Sequence, residues 1–271
     1  MCGRARRTRF CSSCGEEQLR PNDLTVRFLA AQFAKGVSSI DGKLLRSLRS
    51  LLTAPGALTT SYVRGERRRL LGPLALFFIA NALFVGVQAL TQTNPLSSPL
   101  ASHLRAQDWS ALAGKLVGQR LASRGGTLAD LAPAFDQAAI FNAKALIILM
   151  VLALVPILSA IFYRERRPAG VHIVFALHLY AFILTFLCLA LLLAESEHLA
   201  GGGGLQSPAV DLALSLFNLA VVAAYTYLAV GRAYGTRGVT RVAEAAIVTA
   251  AVGVLFVGYR FVIFLITLYT T

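Results

Sequence analysis

The chain has 271 residues, of which 56% are hydrophobic and 14% charged, and its mean hydropathy is +0.64. A composition this apolar excludes an ordinary soluble domain and indicates a membrane protein. Its 26 Lys and Arg against 13 Asp and Glu give a net charge of +13. Such an excess fits nucleic acid, anionic lipid or membrane topology, and its position along the chain separates these classes.

The amino-terminal stretch MCGRARRTRFCSSCGEEQ carries three cysteines with a pattern typical of zinc binding. Cys11 and Cys14 have the Cys-x2-Cys spacing that presents two thiolates to one metal ion, and Cys2 resembles the end of a matching turn. A fourth cysteine three positions before Cys2 would complete the set, and that position falls before Met1. A redox pair is disfavoured, because the sequence offers no thioredoxin-like domain around it.

Two interpretations of these cysteines stay open. In the first, the native start lies a few codons upstream, and residues 1–20 belong to a small cytoplasmic zinc ribbon. In the second, the site has degenerated, and the cysteines are solvated thiols or hold a metal ion with the help of water. The sequence therefore predicts zinc as the cofactor, at a site that is incomplete as the chain stands.

Residues 21–71 form a basic juxtamembrane segment whose second half is amphipathic. Asp41 is placed to cap a helix that ends at Pro55-Gly56. One face of this helix carries Leu44, Leu45, Leu48, Leu51 and Leu52, and the other carries Lys43, Arg46, Arg49 and Ser50. Such a helix is expected to lie in the cytoplasmic interface of the membrane, with packing on the bundle or on a partner as the alternative.

Four arginines follow just before the first span, at Arg64, Arg67, Arg68 and Arg69. They are expected at the height of the lipid headgroups. They are interpreted either as a topology anchor or as a patch that binds an anionic lipid headgroup or a phosphorylated ligand.

Residues 72–271 form the predicted transmembrane bundle. A bilayer core needs about 20 apolar helical residues, and five stretches meet this length. They run near 72–90, 142–162, 171–194, 208–230 and 243–267, with an external loop at 91–141.

The basic residues predict the orientation of the chain. Twenty of the 26 Lys and Arg lie before the first span or in the turns after the second and fourth spans. Because cytoplasmic loops carry the excess of Lys and Arg, the amino terminus is predicted inside and the carboxyl terminus outside, unless the last span is re-entrant. Orientation and anionic lipid thus account for the net charge, which argues against nucleic acid as a partner.

Polar side chains inside spans are costly and mark candidate functional positions. The candidates are Asn81, His172, His178, Asn218 and Arg260, with Asp211 as a possible partner of Arg260. Asn81 and Asn218 are expected at similar depth, near the midplane. Arg260 is interpreted as a member of an ion pair, as a side chain that snorkels outward, or as part of a substrate or proton path.

The two histidines of the third predicted span have separate interpretations. His172 is expected at the cytoplasmic edge of the membrane. His178 lies deeper and either hydrogen-bonds a neighbouring helix or handles a ligand or proton.

The external loop contains LASHLRAQDWSALAGKLVGQRLA, in which Leu100, Leu104, Leu112 and Leu116 lie roughly along one side. This segment is expected to lie on the outer leaflet or to cap the bundle, with Trp109 as an interfacial anchor. His103 is expected on its surface.

The stretch LLRSLRSLLTAPGALTTSYVRGERRRLLGPLALFFIANALFV, with VHIVFALHLYAF and YLAVGRAYG further on, resembles a family of bacterial membrane proteins known as domain of unknown function 3667. The specific features are Pro55-Gly56, the pattern Tyr62-x2-Gly65-x-Arg67 and the run at 172–182. The resemblance implies an amino-terminal element with two Cys-x2-Cys-Gly turns and a location in the bacterial inner membrane. It implies no activity.

The sequence thus predicts an all-α polytopic membrane bundle with about five transmembrane helices and a short cytoplasmic zinc-ribbon-like element. No phosphate-binding loop, paired carboxylates within spans or nucleophile elbow supports an enzyme. We expect an interaction, sensing or regulatory protein anchored in the membrane, with lipid, a cytoplasmic protein partner and a second copy of the chain as candidate partners. The alternative is a transporter or permease for a small solute.

Overall fold

The computed structural model describes residues 42–199, 201 and 208–271, and only the backbone at residues 197, 208, 209 and 211. Within these residues the chain forms α-helices, one 3-10 turn at Tyr163–Glu165 and no β-strand. The helices are α1 (Lys43–Thr53), α2 (Ala57–Val63), α3 (Pro73–Thr91), α4 (Leu100–Arg105), α5 (Ser110–Arg124), α6 (Leu128–Ala145), α7 (Ile148–Ile161), α8 (Ala169–Leu199), α9 (Pro208–Ala233) and α10 (Gly238–Thr270).

Four of the described helices, α3, α8, α9 and α10, are long and apolar enough to cross a membrane. They coincide with the predicted spans at 72–90, 171–194, 208–230 and 243–267. The expectation of a helical protein is therefore confirmed, and these four segments are helices that could span a membrane.

The predicted span at 142–162 is divided between two helices. It begins in the last turn of α6, and α6 and α7 meet at a bend of 51°. The Tyr259 hydroxyl donates a hydrogen bond of 2.7 Å to the carbonyl oxygen of Ala143, inside the last turn of α6. A side-chain hydroxyl that donates to a helix carbonyl competes with the backbone N–H four residues further on, which would otherwise bond that carbonyl. Such a contact favours a break in the helix. The bent pair is either one broken span or a re-entrant segment, giving four or five spans among the described residues.

The described residues divide into two compact units. Unit 1 comprises the described residues up to Thr91 together with Leu154–Ala251, and unit 2 comprises Gln92–Ala153 together with Val252–Thr271. The predicted boundaries at residues 71 and 72 do not correspond to this division, because α1 and α2 pack within the same unit as α3.

Unit 1 is organised around α8, against which α1, α2, α3 and α9 pack. The apolar window of α8 is 78% buried, whereas that of α9 is 22% buried. A helix that is apolar on all sides belongs in the interior or faces lipid. In unit 1, α8 is the interior helix, and α9 exposes large apolar side chains such as Leu212, Leu216 and Phe217.

Unit 2 contains α4, α5, α6 and the carboxyl-terminal part of α10. Its core includes Phe135 of α6 and Phe264 of α10, against which Ala113 and Val117 of α5 pack. Arg120 and Arg124 of α5 donate hydrogen bonds to backbone carbonyls at Tyr269 and Thr271, where cations stabilise the end of a helix. The predicted external loop is thus largely helical.

The leucine stripe predicted for this loop is confirmed at Leu100, Leu104 and Leu116, which belong to one apolar cluster, but not at Leu112. The chain breaks between α4 and α5, and the buried face of α5 is formed by Ala113 and Val117. Leu100 is buried, but Leu112 is 47% exposed. The change of helix axis separates residues that one continuous helix would place in line.

Candidate functional site

Three segments far apart in the chain meet at one end of unit 1, in a site that we call the α1–α2 dock. It consists of residues 55–62 from the turn and α2, residues 172–178 of α8, and residues 229–234 at the end of α9. Each of the three lies within a stretch that carries the family resemblance. The dock therefore brings together parts of the three stretches on which the family resemblance rests.

Gly56 allows the turn between α1 and α2 to approach α9 closely. Its φ of 77° lies in the left-handed region, and a Cβ atom there would lie 2.7 Å from the carbonyl oxygen of Ala229. The Arg232 guanidinium donates a hydrogen bond of 3.1 Å to the carbonyl of Pro55. Only glycine fits both the backbone geometry and the contact.

His178 joins α8 to α2 in the interior of the dock. Its Nδ1 atom shares a hydrogen bond of 3.0 Å with the Thr59 hydroxyl, and both residues are buried. This is the bond to a neighbouring helix that the sequence offered as one of two alternatives. A buried polar group in a span is expected to find such a partner.

His172 joins the start of α8 to the end of α9. Its Nδ1 atom is 2.9 Å from the Tyr234 hydroxyl, and the Tyr234 ring stacks on Phe162 with ring centroids 3.6 Å apart. His172 is 3% exposed, so its side chain is buried in the protein, and its depth at the cytoplasmic edge stays a prediction. The aromatic stack covers it, and that stack depends on residues that are distant in sequence.

The four predicted collar arginines do not share one environment. Arg64, Arg68 and Arg69 are exposed. Arg67 lies with its guanidinium 4.4 Å from the centre of the Tyr62 ring, and its Nε donates a 3.3 Å hydrogen bond to the Tyr62 carbonyl. Burial raises the pKa of the Tyr62 phenol, and the Arg67 charge partly offsets this. Arg67 therefore holds the end of α2, and the exposed patch is formed by the other three.

Helix α1 packs on the rest of unit 1 through one side only. Ser47 and Leu51 are buried, and the Ser47 hydroxyl accepts a 2.9 Å hydrogen bond from the backbone N–H of Leu71. Leu45 is 74% exposed and Leu52 41% exposed. The packing alternative is therefore observed for one side of this helix, a leucine edge remains uncovered, and its position in the membrane interface stays a prediction.

Unit 2 contains a polar cluster that sequence reasoning did not assemble. Arg260 donates from Nη2 to the hydroxyl of Ser98, and its Nε is buried without a hydrogen-bond partner among the described residues. Trp109 donates from Nε1 to Nδ1 of His103 at 3.2 Å. Asp136 accepts a 2.7 Å hydrogen bond from the backbone N–H of Leu100. We call Ser98, His103, Trp109, Asp136 and Arg260 the unit 2 polar cluster.

His103 lies inside this cluster, so the expectation of a surface histidine is wrong. It is 2% exposed, and its ring lies against Phe264 with centroids 4.8 Å apart. Burial and the nearby Arg260 charge lower its pKa to about 4, although Asp136 and a hydrogen bond with the Ser98 backbone act in the opposite direction. His103 is therefore neutral at pH 7.

The remaining predicted site residues either lack a partner for their side-chain oxygen or have side chains outside the described residues. The side-chain oxygens of Asn81 and Asn218 are both buried without a partner among the described residues, so these two amides do not hydrogen-bond each other. The side chain of Asp211 lies outside the described residues, so its ion pair with Arg260 stays a prediction. Cys2, Cys11 and Cys14 also lie outside the described residues.

Sequence reasoning missed four partners, Thr59, Ser98, Asp136 and Tyr234. Thr59 and Ser98 carry no local signal, because hydroxyl residues are common in turns and near helix ends. Asp136 offers a weak signal, since it is the one acid in the mostly apolar run APAFDQAAIF. Tyr234 follows the predicted end of the fourth span and was not distinguishable from an interfacial anchor.

The apolar helices define the class of this chain as a helical membrane protein with four or five candidate spans in the described residues. Residues 41–85 match a protein family described as a protein of unknown function, DUF3667. The match covers α1, α2 and most of α3, and therefore includes the Gly56 turn and Thr59 of the dock. No curated protein and no solved structure matches the chain.

Proposed function

We propose that this protein is a membrane-anchored interaction or regulatory protein of the bacterial inner membrane. In this proposal the basic end of unit 1 faces the cytoplasm. The α1–α2 segment and an amino-terminal metal-binding element together form a surface that receives a cytoplasmic protein partner.

The observation that carries the proposal is the hydrogen bonding of two histidine side chains of α8. His178 and His172 both bond partners within the α1–α2 dock or at the end of α9. A residue that lines a solute path has to expose its polar atoms to that path, whereas these two histidines are buried and engaged. In the proposal, His178 holds α2 against α8, and His172 holds the end of α9 against α8.

The exposed surface of α1 and of the loop after α2 supports the same interpretation. Around α1, at about 100° per residue, Leu45 and Leu52 lie between the buried side and the side that carries Arg46 and Arg49. The exposed Arg64, Arg68 and Arg69 follow in the loop after α2. An apolar edge beside a row of cations is suited to a surface in the headgroup region, where a partner can be received next to anionic lipid.

The amino-terminal element belongs to the proposal through its cysteines. Two thiolates from Cys11 and Cys14 and a third from Cys2 give three of the four ligands of a structural zinc site. We expect one zinc per chain in protein purified from its native source in a mild detergent, measured together with its intact mass. Replacing Cys11 with serine should remove the zinc, and a protein of the expected mass without zinc would contradict this part of the proposal.

A transporter is the second candidate. It is favoured by the buried, unpartnered amide oxygens of Asn81 and Asn218 in two different helices of unit 1. Such groups are costly in a membrane unless they serve a substrate.

Site-specific photo-cross-linking separates the two candidates. A photoreactive amino acid at Leu52, which is 41% exposed, should form an adduct with a protein other than this chain in living cells. The same group at the neighbouring Leu51, which is 1% exposed, is the matched control and should give products within the chain only. Deleting residues 1–20 should remove the adduct at Leu52.

The opposite pattern would favour transport. If position 52 yields the same products as position 51, no protein is received at this edge and the proposal fails. If Asn81→Ala reproduces the cellular phenotype of a gene deletion and the truncation of residues 1–20 does not, the transporter is the better candidate.

A further inference from the structure

Arg260 is half-buried, on the side of α10 that contacts Ser98 within unit 2. Ile263, Phe264 and Thr267, which are three, four and seven residues further on, are all buried. These positions share one face of a helix with Arg260. Val262, on the opposite side, is exposed, and so is Val257, one turn before Arg260. The guanidinium is directed towards Ser98 within unit 2.

The charge of Arg260 has little compensation there. Among the described residues it has one side-chain partner, the neutral hydroxyl of Ser98, and no carboxylate lies within ion-pair distance. Asp136 interacts with His103 and accepts the Leu100 N–H, but it forms no ion pair with Arg260. A guanidinium has five N–H donors, and a charge held in an apolar setting is stable when those donors and the charge are satisfied.

The surrounding groups orient Arg260 and Ser98. An indole N–H can only donate, so Nδ1 of His103 accepts from Trp109 and the proton of the neutral ring is on Nε2. The other side of this histidine interacts with the backbone of Ser98. A chain of contacts thus runs from Trp109 through His103 to Ser98 and Arg260.

We propose that Arg260 and Ser98 form a binding site for the phosphate group of an anionic ligand. The Nε and remaining Nη donors of Arg260 and the hydroxyl of Ser98 supply the hydrogen bonds, and the guanidinium supplies the charge. Arginine suits this role because its planar fork matches the oxygens of a phosphate group. The group belongs either to a lipid headgroup or to free phosphate.

Trp109 provides the measurement, because it is the one tryptophan of the chain and contacts His103. The full chain in a nonionic detergent is titrated with phosphatidylglycerol, with phosphatidylcholine and with inorganic phosphate, and Trp109 fluorescence is recorded. A saturable change with phosphatidylglycerol alone identifies a lipid headgroup. A saturable change with inorganic phosphate identifies the free anion.

Two variants test the assignment to Arg260. Arg260→Gln should weaken binding by about ten- to hundred-fold, as expected for the loss of a charged hydrogen-bond donor. Arg105→Gln removes the same charge from an exposed position in unit 2 and should bind as the wild type does. Arg260→Lys keeps the charge but lacks Nε, so it should weaken binding by about tenfold even if Arg260→Gln fails to fold.

Three results would overturn the proposal. The first is the absence of a saturable response to both phosphatidylglycerol and inorganic phosphate. The second is a response to phosphatidylcholine equal to that for phosphatidylglycerol. The third is unchanged affinity in Arg260→Lys or in a folded Arg260→Gln protein.

Discussion

Gly56 is the residue at which the family-matching segment depends most directly on the rest of unit 1. Its positive φ and the 2.7 Å approach to the Ala229 oxygen are two separate reasons for glycine. The sequence showed Pro55-Gly56 as a helix stop. It did not show that the stop is also a contact with a helix more than 170 residues away.

Gly56→Ala should reduce the free energy of unfolding by about 2 to 4 kcal/mol, since it adds left-handed strain and an overlap with Ala229. Thermal unfolding of the purified protein in detergent measures the change. Gly86→Ala is the control, because a Cβ at Gly86 in α3 meets nothing within 4 Å. A similar loss in both variants would contradict the account of the dock.

His103 gives a prediction for the dependence of stability on pH. Its pKa is about 4 in the folded chain, against 6.5 for an unperturbed histidine side chain. Between these pH values the unfolded chain binds a proton that the folded chain does not, so stability falls as pH drops from 6.5 to about 4. Above pH 6.5 this group contributes no pH dependence.

Melting temperatures measured between pH 7 and pH 4.5 test this expectation. His103→Gln is neutral throughout that range, so its melting temperature should fall less steeply than that of the wild type. Equal slopes in the two proteins would show that His103 titrates normally in the folded chain.

At the scale of elements, α2 is a helix of seven residues that is too short to be stable alone. Its stability comes from the buried Leu58, Thr59 and Tyr62 and from the bond between Thr59 and His178. The amphipathic pattern predicted α1, but α2 follows from its position against α8 and α9.

Thr59→Val replaces the hydroxyl with a methyl group and leaves Nδ1 of His178 without its partner. We expect a loss of about 1 to 3 kcal/mol in the free energy of unfolding. Thr185→Val is the matched control, because the Thr185 hydroxyl bonds only the carbonyl of Ala181 in its own helix. An equally large loss in Thr185→Val would contradict a specific stabilising role for the hydrogen bond between Thr59 and His178.

The bend between α6 and α7 depends on a hydrogen bond that no local sequence pattern predicts. Tyr259→Phe removes the hydroxyl bonded to the Ala143 carbonyl and should cost about 1 to 2 kcal/mol. Amide hydrogen exchange around residues 146–150 should change in this variant. Tyr269→Phe, in the same helix and 55% exposed, should leave both stability and exchange unchanged.

At the scale of the whole molecule, the number of membrane spans depends on whether the bent pair of α6 and α7 crosses the membrane. If α6 and α7 cross the membrane together, five spans place the two ends of the bundle on opposite sides. If the pair is re-entrant, the chain has four spans, and the segments just before α6 and just after α7 lie on the same side of the membrane.

Single cysteines decide this in a chain without its native cysteines. We expect Asp108→Cys and Thr270→Cys to react with a membrane-impermeant maleimide from outside the cell, and Tyr163→Cys to react only after permeabilisation. All three positions are exposed in the structure. Labelling of Tyr163→Cys from outside would show that the bent pair is re-entrant.

The membrane class, four of the spans and the basic end of unit 1 could be predicted from the amino-acid sequence alone. These properties depend on the length of apolar stretches and on the position of charges, which add up locally along the chain. The bond between Thr59 and His178, the buried position of His172, the bend at residues 146–147 and the unit 2 polar cluster depend on partners up to about 160 residues apart. They became visible only in the folded chain, because the choice of partner follows from packing between helices and leaves no periodic signal in the sequence.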